Sequence, residues 1–107
     1  MPTPMPDLAK IRREGMRWKM VNTMNLNRPV TTPETWLLDV LRSSYPDVTP
    51  LEVRRELDYL ADRGLVDLVK QPSGMWFSDL TRYGVDLAEY TVDCDPGIDR
   101  PVKYWSA

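Results

Sequence analysis

The spacing of apolar residues predicts one well-defined helix in the middle of the chain. Thr49 is a natural N-cap, Pro50 suits the first helical position, and Glu52 lies where a capping box has its acid. Gly64 is typical of a C-terminal cap. Between these signals, apolar residues recur on one side of a helix of about four turns, at Val53, Leu57, Leu60 and Ala61. The pattern therefore predicts a helix over residues 49–63.

The flanking patterns predict two helices before this one and a β-hairpin after it. A first helix is expected from its cap at Asp7 to about Met24, and a second from the start signal Thr32-Pro33-Glu34 to just before residue 45. Residues 29–31 can form a short strand between them. Residues 65–69 and 75–77 predict the two strands of a hairpin, because a turn with Pro and Gly separates them. A closing helix is expected to start near Leu80-Thr81 and to reach residue 87 or 88.

These patterns predict one domain with an appended segment at each end. Residues 1–6 are dense in proline and are expected to be a flexible lead. Residues 7–89 then form the domain, and a chain of 107 residues can bury a core without metal or disulfides. Residues 90–107 contain prolines but also several large apolar side chains, so we expect an extended tail that packs on the domain.

The predicted first helix has apolar residues on two sides. Leu8, Ile11, Gly15 and Trp18 lie on one side, and Met16, Met20 and Met24 recur every four residues on roughly the opposite side. Either both sides pack within the domain, or one side packs on the domain and the other on a second copy of the chain. Because methionine adapts to irregular surfaces, its presence does not decide between them. We assign the methionine side as the candidate homodimer interface.

Charge is unevenly distributed along the chain. The net charge is −2, but residues 1–28 carry six bases and two acids, whereas residues 29–107 carry eight bases and fourteen acids. A basic amino-terminal segment is a modest electrostatic signal for a polyanionic partner. The acidic remainder argues against nonspecific phosphate binding.

Catalytic chemistry is poorly supported by the composition. The chain has no histidine, no glycine-rich phosphate loop and no Gly-x-Ser-x-Gly turn, so we predict that it is not an enzyme. Cys94 lies between Asp93 and Asp95, whose charges oppose thiolate formation. The acids at 93, 95 and 99 lack calcium-loop spacing, and we predict neither a metal nor a cofactor. One cysteine and no long apolar run favour a reducing cytoplasm and no membrane contact.

The central helix and the strand after it resemble the third helix and first wing strand of a winged helix-turn-helix domain. The resemblance implies an α+β fold that is mainly helical, with a three-helix core, a β-hairpin wing and a closing helix. It also implies that the outward side of the helix over 49–63 recognises DNA. The implied DNA contacts lie on this helix, the wing and the first helix: Thr49, Glu52, Arg54, Arg55, Tyr59, Lys70, Gln71, Arg12, Arg13 and Arg17.

Further motifs resemble a family of small proteins encoded by Mu-like bacteriophages and prophages. They include Glu56-Leu-Asp-Tyr-Leu, Arg63-Gly-Leu-Val, and Leu80-Thr81 with Gly84. The most specific motif is the run Tyr90-Thr-Val-Asp-Cys-Asp-Pro-Gly-Ile, followed by Arg100-Pro and Tyr104-Trp105. The resemblance implies a phage origin, a bacterial host cytoplasm and a winged-helix fold, but it implies no catalytic activity.

Two functions remain open on the sequence. The first is a DNA-binding or transcription-regulatory accessory protein, active on double-stranded DNA as a homodimer. The second is a module that keeps the fold but docks on a phage or host protein. The first is our main prediction, because of the segment 49–66 and the basic first helix. The second is the alternative. It is motivated by the methionine side of the first helix, by the aromatic tail and by residues 49–63, whose four acids against three bases oppose phosphate binding.

Overall fold

The computed structural model describes residues 5–103, which fold into four helices and a small antiparallel sheet. In chain order the elements are α1 (Leu8–Asn27), β1 (Thr32–Pro33), α2 (Glu34–Arg42), α3 (Pro50–Asp62), β2 (Val66–Lys70), β3 (Trp76–Leu80) and α4 (Arg82–Ala88). The expected class, mainly helical α+β with a β-hairpin, is confirmed at this level.

The sheet is built around the hairpin. Its strand order is β1-β3-β2, so β3 is central and pairs with both other strands in antiparallel fashion. In the hairpin, Val66 lies opposite Leu80 and Lys70 opposite Trp76. Gly74 has a φ of +95° in the turn between the strands, a backbone conformation that glycine adopts without strain. The turn lies next to α3, because Arg54 of α3 donates a hydrogen bond to the carbonyl oxygen of Gly74.

Three of the four expected helix starts have a side-chain cap. The side chains of Asp7, Thr49 and Thr81 each accept a hydrogen bond from the backbone N–H three residues further on, which caps α1, α3 and α4. Gly84 lies in the first turn of α4, where a Cβ atom would overlap the carbonyl oxygen of Leu65. Only glycine lets α4 approach the residue before β2 this closely.

Several boundaries differ from the predictions. Strand β2 is shifted by one residue, and β3 extends to Leu80, three residues past its expected end. Helix α1 continues to Asn27, three residues past the expected end at Met24. The first strand lies at 32–33 and not at 29–31, so the predicted cap Thr32 instead pairs with Ser78 of β3. Pairing with the sheet satisfies the backbone of Thr32, and α2 begins after Pro33 without a side-chain cap.

The methionine side of α1 is core, which corrects the predicted dimer interface. Met16 and Met20 are fully buried and Met24 almost so, together with Leu37 of α2 and Leu57 of α3. A second copy has no access to these side chains. The opposite side, predicted to pack on the domain, is instead partly open, since Leu8 and Ile11 are exposed and Trp18 is half-buried. The apolar period was recognised correctly, but the two sides were assigned the wrong way round.

The chain after α4 runs over the domain without forming a helix or strand up to residue 103. Ile98 is buried in the core, and Val92 and Cys94 pack against it. Arg100 donates hydrogen bonds to the carbonyl oxygens of Leu87 and Val92. The expected contribution of Tyr104 and Trp105, like that of residues 1–4, falls outside the described part of the chain. Within residues 5–103, no helix has the length and apolar character required to cross a bilayer.

Candidate nucleic-acid interface

Helix α3 buries one side and exposes the opposite side. Val53, Leu57 and Leu60 point into the core, as their spacing predicted. The exposed residues of the helix lie along the opposite stripe, at Leu51, Arg55, Asp58 and Asp62. This stripe carries two acids and one base, so its own charge does not favour a polyanion.

Arg12 of α1 is bound to the first turn of α3. Its guanidinium donates two hydrogen bonds to the carboxylate of Glu52, of 2.7 and 3.0 Å, and a third of 3.0 Å to Asp47. These hydrogen bonds raise the pKa of Arg12 and lower those of both carboxyls. Two predicted DNA contacts, Arg12 and Glu52, therefore neutralise each other and fix α1 against α3.

Arg17 is engaged more deeply than Arg12. Its Nε donates to Glu56 Oε1 at 2.9 Å, and its Nη1 donates to the carbonyl oxygen of Gly97 at 2.9 Å. Only 11% of the Arg17 side chain and 5% of the Glu56 side chain remain exposed. The guanidinium also stacks 3.4 Å from the centroid of the Tyr59 ring. Arg17 thus joins α1, α3 and the tail and is not available to a phosphate.

Arg54 connects α3 to α2 and to the hairpin formed by β2 and β3. Its guanidinium makes a two-fold hydrogen bond with the buried carboxylate of Glu34, at 2.8 and 2.9 Å, and also donates to the carbonyl oxygen of Gly74. Glu34 accepts a further bond from the backbone N–H of Trp76. The Arg54 hydrogen bonds, followed by this one, hold the pKa of Glu34 below its usual value. The Arg54–Glu34 ion pair therefore fixes the β2–β3 hairpin against α2 and α3.

Lys70, the only base in the hairpin over residues 66–80, is also paired. Its Nζ lies 3.2 Å from Asp58 Oδ1 and 4.1 Å from the centroid of the Trp76 ring. Gln71 and Ser73 are exposed in the hairpin turn. The predicted wing contacts, Lys70 and Gln71, are therefore one neutralised lysine and one uncharged side chain.

Arg13 and Arg55 are the exceptions among the predicted basic contacts. Both are exposed, and within residues 5–103 neither guanidinium group has a hydrogen-bond or ion-pair partner. They line one shallow groove of about 310 Å³ between α1 and the first turns of α3, and Thr49 lies on the same groove. The structure therefore brings together two unpaired arginines beside the start of the predicted recognition helix.

The far end of α3 is covered by the tail. The hydroxyl of Tyr59 accepts a hydrogen bond of 2.7 Å from Arg63 Nη1, which also donates to the carbonyl oxygen of Pro96. Gly97 has a φ of +113°, and a Cβ there would overlap Tyr59 Oη. Because Arg17 lies over the ring and the tail over its edge, Tyr59 does not project towards a groove in DNA.

Sequence reasoning missed three residues that organise this surface, namely Glu34, Glu56 and Gly97. Glu56 carried a usable signal, because three-residue spacing from Val53 places it on the buried side, where a carboxylate needs a partner. Glu34 was interpreted only as part of a helix start. Gly97 carried no signal for its contact with Tyr59, since 38 residues of chain separate the two.

Metal and thiol chemistry find little support in the same region. Between residues 5 and 103, no cluster of three or more acidic, cysteine or histidine side chains has the geometry to hold an ion. Burial raises the pKa of the Cys94 thiol. Its sulfur lies 3.6 Å from the carbonyl oxygen of Ile98. A thiol of raised pKa is a poor nucleophile.

Comparisons of the chain with protein-family models, with curated proteins and with solved structures find no match. The resemblance to phage-encoded proteins therefore stays a prediction, and functional arguments must come from the surface of this molecule.

Proposed function

We propose that the chain is a winged-helix protein, of phage origin, that binds double-stranded DNA through the first turns of α3 as a regulatory accessory factor. In this proposal α2 and α3 form the helix-turn-helix unit, and β2 and β3 form the wing. The element order and the central place of β3 in the sheet support this reading.

One observation carries the DNA proposal: Arg13 and Arg55 are exposed, unpaired within residues 5–103, and line one groove beside α3. An arginine without an intramolecular carboxylate partner can form a bidentate hydrogen bond with a phosphate or with guanine, and no ion pair must break first. Arg55 projects from the side of α3 that faces away from the core. Arg13 is then placed to bind the flanking phosphate backbone.

The remaining predicted contacts are less suited to the role. Binding a phosphate through Arg12, Arg17, Arg54 or Lys70 would require the loss of an intramolecular ion pair. We therefore propose a small contact set, in which Thr49 and Gln71 assist the two unpaired arginines. A small set of phosphate contacts gives weak binding with a shallow dependence on salt concentration.

The test is a titration of fluorescent mixed-sequence duplex DNA at low and moderate salt. Each phosphate contact contributes about 0.9 to the slope of log affinity against log salt, so replacing both arginines by alanine should flatten the slope by up to about 2. It should also weaken binding at least about tenfold at low salt. Arg82→Ala is the matched control for the single variant Arg55→Ala, because Arg82 is exposed on α4 and each substitution removes one positive charge.

Two results would refute the proposal. One is the absence of duplex binding by the folded wild-type protein at low salt. The other is equal loss of binding in Arg82→Ala and in Arg55→Ala, which would indicate a general charge effect and no defined contact surface.

A further inference from the structure

A groove on the other side of α1 is unconnected with the DNA proposal. It lies between the second half of α1 and helix α2 and has a volume of about 720 Å³. Trp18 and Leu26 contribute from α1, and Trp36 and Val40 from α2. It is larger than the groove beside α3, and most of its lining surface is apolar, although seven of its eleven lining residues are polar or charged.

The apolar side chains of this groove are unusually open to solvent. Leu26 is 78% exposed, Trp36 50% and Val40 42%, and the nearby turn adds Val30 at 55%. Trp36 and Val40 are four residues apart, so both lie on the same side of α2. An exposed apolar groove of this kind marks an interaction surface, and tryptophan is among the residues most enriched at the centre of protein interfaces.

The charges on the groove indicate the type of occupant. Lys19 lies on the α1 wall, and within residues 5–103 its ammonium group makes no hydrogen bond or ion pair. Asp39 lies on the α2 wall, where its only ion pair is with Arg42 at 3.5 Å and its side chain is 71% exposed. The groove thus presents one base and one acid on opposite walls. It has no bias towards an acidic or a basic partner.

We propose that this groove is the interface of a two-fold homodimer. In a two-fold interface, if residue i contacts residue j of the partner, then j also contacts i of the partner. A surface with a base on one wall and an acid on the other satisfies this rule with itself: Lys19 of each protomer faces Asp39 of its partner. In this arrangement the exposed Trp36 of each protomer packs against the apolar side chains of the partner's groove.

The proposed dimer replaces the one expected through Met16, Met20 and Met24. Those side chains are in the core, and the groove uses other residues of the same helix, on its surface. The interface does not include Arg13 or Arg55, so dimerisation and DNA binding can fail separately.

Sedimentation over a concentration series tests the dimer. The wild-type chain should reach twice the monomer mass, and Trp36→Glu should raise the dissociation constant at least about a hundredfold, as expected for a central tryptophan. Val69→Glu is the control, because Val69 is a comparably exposed apolar residue on the wing. Its dimer should persist. A wild-type chain that stays monomeric up to its solubility limit would overturn the proposal, as would equal effects of the two substitutions.

A charge-reversal experiment distinguishes a second copy from any other occupant. Lys19→Asp alone and Asp39→Lys alone should each weaken the homodimer about tenfold or more, because each creates two like-charge pairs. Mixed together, the two variants should form a heterodimer with both opposite-charge pairs restored. Unchanged circular dichroism of each variant establishes that it is folded. If the folded variants show no preference for the heterodimer, Lys19 does not face Asp39 and the proposed two-fold arrangement is wrong.

Discussion

The two ends of α3 are built from similar residues and yet have different surroundings. In the first part, residues 50–55, Arg55 and Leu51 point to solvent beside the groove that Arg13 also lines. In the second part, residues 56–62, Tyr59 lies beneath Arg17 and the tail. We call these the open half and the covered half. The exposed side chains of the covered half are the acids Asp58 and Asp62, which repel phosphate, so we expect any DNA contact by α3 in the open half.

An arginine of α1 binds a glutamate in each half of α3, but the two ion pairs differ in burial. Arg12 and Arg17 are five residues apart on α1, and each binds a glutamate of α3. The Arg12 pair lies partly exposed at the edge of the open half, whereas the Arg17 pair is almost fully buried in the covered half. Because a buried charge depends on its partner far more than an exposed one does, similar sequence features should differ greatly in their contribution to stability.

The largest expected loss of stability comes from removing the buried ion pair of the covered half. Arg17→Ala leaves the Glu56 carboxylate buried without its partner, so we expect a loss of about 3–5 kcal/mol in the free energy of unfolding. Arg12→Ala is the matched substitution at the open half and should cost at most about 1 kcal/mol. Urea unfolding followed by circular dichroism measures both. Equal losses would show that the two ion pairs are equally exposed to water.

A smaller loss of stability is expected from substituting Gly97, the glycine of the tail that covers Tyr59. Gly97→Ala adds strain from a positive φ and a Cβ that overlaps Tyr59 Oη. Gly74→Ala has a similar φ, of +95°, and meets nothing within 4 Å, so it isolates the backbone strain. We expect losses of about 2–3 kcal/mol for Gly97→Ala and about 1 kcal/mol for Gly74→Ala. Thermal unfolding measures the difference, and identical losses would mean that the tail does not press on Tyr59.

The dependence of stability on pH sharpens the comparison at Arg54, where the open half binds Glu34. The pKa of Glu34 is lower in the folded chain than in the unfolded chain, so the unfolded state binds more protons. This contribution to stability is complete above about pH 4.3 and is lost as pH falls through the folded value. Glu34→Gln should therefore be less stable at pH 7 and lose less stability between pH 5 and pH 2. Chemical denaturation at several pH values measures both slopes, and parallel slopes would contradict the assignment.

The smallest expected change in stability is at the open half itself. The Arg55 guanidinium group makes no hydrogen bond or ion pair within residues 5–103, so Arg55→Ala should alter the free energy of unfolding by less than about 0.5 kcal/mol. Its effect should be confined to DNA affinity. A loss comparable with that of Arg17→Ala would show that Arg55 supports the fold.

Local signals explain why most of the fold could be predicted. The caps at Asp7, Thr49 and Thr81 each involve residues three apart, and the core side of α3 follows from helical spacing. Such features depend on neighbouring residues alone, so periodicity and capping preferences are sufficient to find them. The hairpin was predicted for the same reason, with its strands one residue or more out of place.

The candidate site was predicted less well, because exposure depends on distant parts of the chain. Ten residues of α1, α3 with its cap and the hairpin were assigned to DNA because the chain resembles a winged helix-turn-helix domain. The partner of Arg17 is 39 residues away and that of Arg12 40 residues away. No local pattern shows that one arginine is paired and the next is not.

The sequence by itself determined where the helices and the hairpin lie and which side of α3 enters the core. The tertiary structure alone decided which side of α1 is buried, which arginines are neutralised and which half of α3 the tail covers. The physical reason is the range of the interactions. Helical periodicity and capping act within a few residues, whereas the burial of Met20 and the pairing of Arg17 with Glu56 exist only after segments far apart in the chain have packed together.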